Sequence, residues 1–396
     1  RASCEQLFLL SKKIRILFET KSRTHSTWKP HRKLLNPAFN QTLLDTFMGV
    51  FNSQSRKLVK DLEKEVGKGL FDHWTYTRHN ALETICLTSL GIDLTDSNFN
   101  TEYFHAFEMI LKTIVERLTK IWWHKSSLFA WSKLKKEQDF YVKILHNMSN
   151  TVKKLVDINQ QDFVKPIWNF ILGTKFKPFI DLLLELATEK GTFTDKEVRE
   201  HVDTMLAAGH DTTANVLLFT LMLLGSHPEV QEKLFTEIQE VVGEKDVEKT
   251  DLSKLVYLEA VLKESMRVFT IVPVVGRKLD RDVKLKNYTL SAGRTCALFL
   301  CGLHKHSIWG PDAHEFHPER WIESGRLPDN PSAFAAFSLG KRNCIGKTYS
   351  MMSMKTTLTH LVRRYRIKAD ITKLQINIDV LLKPLSGHSI SIEERM

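Results

Sequence analysis

The stretch Phe337-Ser338-Leu339-Gly340-Lys341-Arg342-Asn343-Cys344-Ile345-Gly346 gathers what a thiolate bound to iron in a flat macrocycle requires. Cys344 offers the sulfur. Gly340 and Gly346 allow a tight turn and a close backbone approach. Arg342 offers charge to acidic groups on the macrocycle, through hydrogen bonds worth about 1.5–3 kcal/mol each. Phe337 can cover the sulfur from water, and such burial tunes a ligated metal. A loop around a buried cysteine would explain any one of these residues, but not five at this spacing.

A second group lies upstream, in Ala208-Gly209-His210-Asp211-Thr212-Thr213. An acid beside an alcohol, Asp211 and Thr212, can pass protons to a reacting group without flooding it with water. The competing reading is a mid-helix threonine bonded back to the preceding turn. Glu264 and Arg267 stand three apart and can pair on one helix face, as Trp28 and Arg32 share a face four apart. Taken singly, both spacings are common.

These groups need long helices to hold them. Thr194-Asp195-Lys196-Glu197 is a capping box, and an apolar pattern continues from it to Leu224, with Gly225 placed to close the helix. Its expected core face includes Val198, Val202, Met205, Leu206, Val216, Phe219 and Leu223. Ser226-His227-Pro228 starts a further helix toward Gly243, and another runs from about Leu255 to Val268. Alternating stretches at Val283–Leu285, Tyr288–Leu290, Ile376–Leu382 and Ile390–Ile392 read as minor strands.

Composition limits the alternatives. The chain has 396 residues, 42% of them hydrophobic and 26% charged, which excludes a disordered or low-complexity protein. Its 5 cysteines are too few for a disulfide scaffold, and the odd number points to a reducing compartment. No apolar run of about 18 residues is present. The net charge of +11 is dispersed and lacks a nucleic-acid motif; it suits a solvated surface or an acidic protein partner. With no repeat or linker, the chain reads as one large, mainly helical domain.

The cysteine stretch resembles the haem-binding loop of the cytochrome P-450 superfamily, F-x-x-G-x-R-x-C-x-G, at every fixed position. The resemblance implies that Cys344 is the iron ligand of a haem b that is otherwise held non-covalently. It also implies that Trp28, Arg32, Arg277, Phe337, Gly340, Arg342 and Gly346 surround that haem. Ala208 to Thr213 looks like the family's oxygen-activation motif, with Asp211 and Thr212 as the proton-handling pair and Gly209 permitting a local widening of the helix. Phe316-His317-Pro318-Glu319-Arg320-Trp321 resembles the P-E-R-F segment, which makes Glu264, Arg267 and Arg320 a buried structural network. Trp321 stands where Phe is usual.

His201 to Thr213 is similar to the corresponding helix of the fourth family and its insect relatives, whose members commonly hydroxylate fatty acids or oxidise other lipophilic compounds. Ala208 replaces the glutamate that esterifies haem in some of them, so no such link is expected. Ala207, Ala208, Val274 and Leu385 are the expected substrate contacts.

The fold implied is mainly α with minor β, a single P-450-type domain with a long central helix over the haem and small sheets at the periphery. The domain covers residues 1–396, without the anchor and first elements that precede it in full-length relatives. The activity implied is insertion of one oxygen atom from dioxygen into a fatty acid, hormone-like lipid or xenobiotic. Electrons come from NADPH through a cytochrome reductase, with cytochrome b5 as auxiliary donor, at the cytosolic face of the endoplasmic reticulum membrane. Two rivals share the cysteine loop: a reductase-independent isomerase or dehydratase of lipid peroxides, and a non-catalytic haem-binding protein. Loss of the Asp211–Thr212 pair usually marks the first.

Overall fold

Thr194 caps the longest helix as its sequence predicts: its hydroxyl accepts from the Glu197 amide at 3.3 Å, and the Glu197 carboxylate accepts from the Thr194 amide at 3.0 Å. The fold is seen in a computed structural model that describes residues 25–93, 99–159, 178–188 and 191–395. Cys4 lies outside them.

The helices in chain order are α1 (His25–Leu35), α2 (Gln41–Asp45), α3 (Met48–Glu63), α4 (Trp74–Ile85) and α5 (Phe99–Thr119). Next come α6 (Ser126–Ala130), α7 (Lys133–Asn159), α8 (Phe179–Thr188), α9 (Asp195–Ser226) and α10 (Pro228–Val241). The last are α11 (Lys249–Leu252), α12 (Val256–Val268), α13 (Leu300–His304) and α14 (Lys347–Arg364).

The strands are short and all paired antiparallel. β1 (Phe71–Asp72), β9 (Ser389–Glu394) and β6 (Tyr365–Lys368) make a three-stranded sheet in that order. Three two-stranded sheets pair β2 (Val274–Lys278) with β5 (Thr295–Phe299), β3 (Val283–Lys284) with β4 (Thr289–Leu290), and β7 (Ile376–Ile378) with β8 (Leu382–Pro384).

The core lies where α9 packs along α4 and α14 packs along α3. Leu82, Leu218, Phe219, Leu223, Leu224 and Leu358 are fully buried there. Val198, Val202, Leu206 and Val216 are buried as the helical period predicts, while Met205 is only half-buried. Beyond Asp211 the helix is buried nearly all round, so periodicity stops marking a face.

Gly225 does not close α9, which continues through Ser226. A Cβ there would lie 2.7 Å from the Ala369 backbone nitrogen, so Gly225 permits the chain after β6 to cross against the helix. The strand expected over 376–382 is instead the β7–β8 hairpin. The β2–β5 ribbon, which places Val274 and Arg277, was not anticipated at all.

Candidate functional site

Cys344 sits just ahead of α14, whose N-cap is Gly346. The positive end of the helix dipole therefore faces the sulfur. The Cys344 amide donates to the Phe337 carbonyl at 2.8 Å and closes the loop on itself. Two left-handed residues make that closure possible, Gly340 (φ +70) and Ser338 (φ +58). Ser338 is the only non-glycine with positive φ among the described residues, so the turn carries local strain. Its hydroxyl accepts from Arg277 Nη2 at 3.1 Å, joining β2 to the loop.

Three arginines converge on this loop. Arg32 on α1 donates to the Asn343 carbonyl at 3.0 Å and to its Oδ1 at 3.2 Å. Burial lowers the Arg32 pKa, and the electrostatic influence of nearby Cys344 opposes that shift. Arg342 lays its guanidinium 3.9 Å from the centroid of the buried Trp28 ring. Its pKa is lowered by burial and further by Arg277, so those two cations repel each other. Arg277, itself lowered by burial, makes no ion pair among the described residues and is bonded only to Gly276 and Ser338. Phe337 lies beneath Lys347, whose Nζ is 5.9 Å from its ring.

On α9 the acid and the alcohol occupy adjacent faces. Met205, Ala208, Gly209 and Thr212 form a half-open stripe, whereas Ala207 and Asp211 are buried beside it. Ala207 belongs to the hydrophobic core rather than to the stripe on which Ala208 lies. The Thr212 hydroxyl donates to the Ala208 carbonyl at 2.6 Å, so the back-bond weighed from sequence is present and leaves its oxygen as an acceptor. The helix shows no widening at Gly209. A Cβ at Gly209 would instead lie 2.7 Å from Ile85 Cδ1, which makes this glycine the contact that lets α4 and α9 meet. Val274 is half-buried opposite Phe299, and Leu385 is exposed.

Glu264, Arg267 and Arg320 form one buried network. Arg267 grips Glu264 through two hydrogen bonds of 2.8 Å, and Arg320 Nε reaches Glu264 Oε1 at 3.3 Å. Arg267 also donates to the carbonyls of His304, Ala313 and Glu315. The network is larger than the sequence suggested. Trp321 joins it, its indole nitrogen donating to Glu264 Oε2 at 2.9 Å. Asp312 also joins: the hydrogen bond from Arg320 holds its carboxyl down at about 2. The only sequence signal for the indole bond was a tryptophan where phenylalanine is usual.

The donor set suits haem. A sulfur at a helix N-terminus matches iron, and three part-buried arginines gathered at its loop match paired propionates. The described cysteines, Cys86, Cys296, Cys301 and Cys344, are all free.

A cysteine loop backed by a helix dipole, with a long helix carrying an acid–alcohol pair, defines a haem-thiolate oxidoreductase. The chain belongs to the cytochrome P450 family, whose model matches residues 7–389, and it is a P450 monooxygenase with haem b bound through a cysteine–iron bond. It is 34% identical over 382 residues to cytochrome P450 4V2 of Rattus norvegicus, covering 94% of this chain and 73% of that protein. To cytochrome P450 4V2 of Homo sapiens it is 32% identical, with 94% and 73% covered. To cytochrome P450 4c3 of Drosophila melanogaster it is 31% identical, with 94% and 72% covered. These relatives are fourth-family enzymes of vertebrates and insects, in line with the motif in α9. No described helix is long and apolar enough to cross a membrane.

Proposed function

We propose that residues 1–396 act as one catalytic domain that hydroxylates a lipophilic substrate of the fatty-acid or hormone-like lipid class, or a xenobiotic. The observation that carries this reading is Cys344 at the α14 N-terminus, with Arg32, Arg277 and Arg342 gathered on its loop. Bound haem supplies the activation of dioxygen. Cys344 would hold the iron, while the arginines would bind and orient the propionates. Thr212 accepts a hydrogen bond on the half-open stripe, and the neighbouring buried Asp211 holds or releases a proton. Ala208 and Val274 are small or aliphatic and half-buried, which suits an apolar substrate; Leu385 contributes at the exposed rim.

Electrons reach the site from NADPH through a reductase, with cytochrome b5 as auxiliary donor. Support comes from charge placement: no acidic residue occurs between Asp329 and Asp370, nor in α1. Lys29, Lys33, Lys341 and Lys347 are exposed on these segments around Cys344 and offer an acidic partner a face of one sign. The reading places the enzyme at the cytosolic face of the endoplasmic reticulum membrane. Its test is a carbon monoxide difference spectrum followed by an NADPH-consumption assay with reductase and a panel of lipids. A thiolate-type Soret band, abolished in Cys344→Ala, and coupled product formation, lost in Thr212→Ala, are expected. Haem loading without turnover on any lipid would refute it.

A further inference from the structure

Beside the half-open stripe, where α4 and α5 pack on α9, three buried groups have polar atoms without hydrogen-bond partners among the described residues. They are both carboxylate oxygens of Asp211, Nε2 of His210, and Nε and Nη2 of Arg78. Their exposures are 1%, 0% and 6%. They share one neighbourhood. Phe104 of α5 carries the Arg78 guanidinium 4.1 Å from its ring centroid, and the same ring lies 5.7 Å from that of His210. Asp211 and Arg78 both act electrostatically on His210 and on Tyr103.

The hydrogen-bonding inventory is complementary. His210 Nδ1 donates to the Leu206 carbonyl at 2.6 Å, which leaves Nε2 as an acceptor. Burial pushes the His210 pKa down to about 4, so the ring stays neutral and offers Asp211 no charge. Arg78 supplies donors. Its Nη1 is engaged by Glu108 of α5, whose side chain is 46% exposed, while its remaining N–H groups are free to serve an interior acceptor. A carboxyl this deeply buried is costly to leave without a hydrogen-bond donor.

We propose that Arg78 is a positioning residue for Asp211: from α4 it supplies the hydrogen-bond donors that orient the buried carboxyl, and is itself held in place by Glu108. This rests on the reading of Asp211 as the proton-handling acid. Without Arg78 the carboxyl loses its fixed orientation, and proton delivery falls out of step with electron supply.

The experiment measures product formed per NADPH consumed in wild type, Arg78→Gln, Arg78→Lys and Glu108→Gln, each first checked for an intact carbon monoxide difference band. Arg78→Gln is expected to lower the ratio about tenfold, within the range of one general-acid contact. Arg78→Lys should restore part of it, and Glu108→Gln should lower it slightly. An unchanged ratio in Arg78→Gln would overturn the proposal. Should that variant fail to fold, the same reading is taken from Arg78→Lys, where a wild-type ratio with Glu108→Gln also unchanged is the adverse result. A double-mutant cycle on unfolding midpoints, using Arg78→Lys and Asp211→Asn, decides the pairing independently of turnover. Non-additive losses support the pair and strictly additive ones refute it. A wild-type enzyme that turns over no lipid would thus refute the proposed function while the cycle still decides the pairing.

Discussion

The Arg342 guanidinium lies 3.9 Å over the Trp28 ring, while one turn further along α1 Arg32 bonds Asn343. Helix α1 therefore grips the cysteine loop at the two residues that immediately precede Cys344. The resemblance places Trp28 and Arg32 around the haem, and the Trp28 ring also lies against the Arg342 guanidinium.

Replacing Trp28 by leucine keeps an apolar side chain but removes the face under the cation. A buried cation–π contact is worth about 2 kcal/mol or less, so haem affinity should fall up to about thirtyfold with the fold intact. Transfer of haem to an excess of an apo-globin measures this. Unchanged transfer kinetics and equilibrium would show that Arg342 needs no platform.

Trp321 makes a second local departure from the family pattern consequential. Its indole donates to the Glu264 carboxylate, which is 0% exposed. Trp321→Phe should destabilise the protein by about 1–3 kcal/mol, the cost of one lost bond to a buried charge. Glu264→Gln should cost more, about 3–5 kcal/mol, because it leaves Arg267 and Arg320 without their buried counter-ion. Urea unfolding of the two variants gives the comparison, and equal effects would place the indole at the centre of the network.

Gly209 tests packing against chemistry. A Cβ would meet Ile85 Cγ1 and Cδ1 at 2.7 Å, and Ile85 is 2% exposed. Gly209→Ala should therefore destabilise by about 1–3 kcal/mol through overpacking. Adding Ile85→Val removes the Cδ1 atom and should recover part of that loss. If the alanine variant keeps its unfolding midpoint but loses coupling, the glycine serves the reaction and not the helix contact.

What the sequence made legible was local. The capping box at Thr194, the helix of Glu264 and Arg267, and the cysteine loop each lie within a few consecutive residues, so short-range rules reach them. What it hid depends on long-range approach. Gly225 looked like a helix stop because its partner Ala369 is far along the chain. Gly209 read as a widening because Ile85 was not in view. The division of Ala207 and Asp211 from Ala208 and Thr212 is a matter of one helical step, and only the packing of α4 and α5 decides which side is open.

His304 links that buried network to the segment leading into the cysteine loop, and its protonation state is fixed by its partners. Its Nε2 accepts the Ala335 amide at 2.9 Å, and Nδ1 stands 2.7 Å from the Thr270 hydroxyl. A proton on Nε2 would oppose an amide hydrogen. Burial, with the nearby Arg267 charge, lowers the pKa from 6.5 to about 4. The unfolded chain thus takes up the proton first as pH falls. The stabilisation is fully present above about pH 6.5 and is lost progressively toward about pH 4, by up to about 3 kcal/mol. His304→Gln should be less stable at neutral pH and lose less on acidification. Unfolding midpoints between pH 7 and 4.5 check this; parallel curves for wild type and variant would mean that the acid sensitivity comes from the other buried histidines, His73, His210 and His360, whose pKa values burial also depresses to about 4.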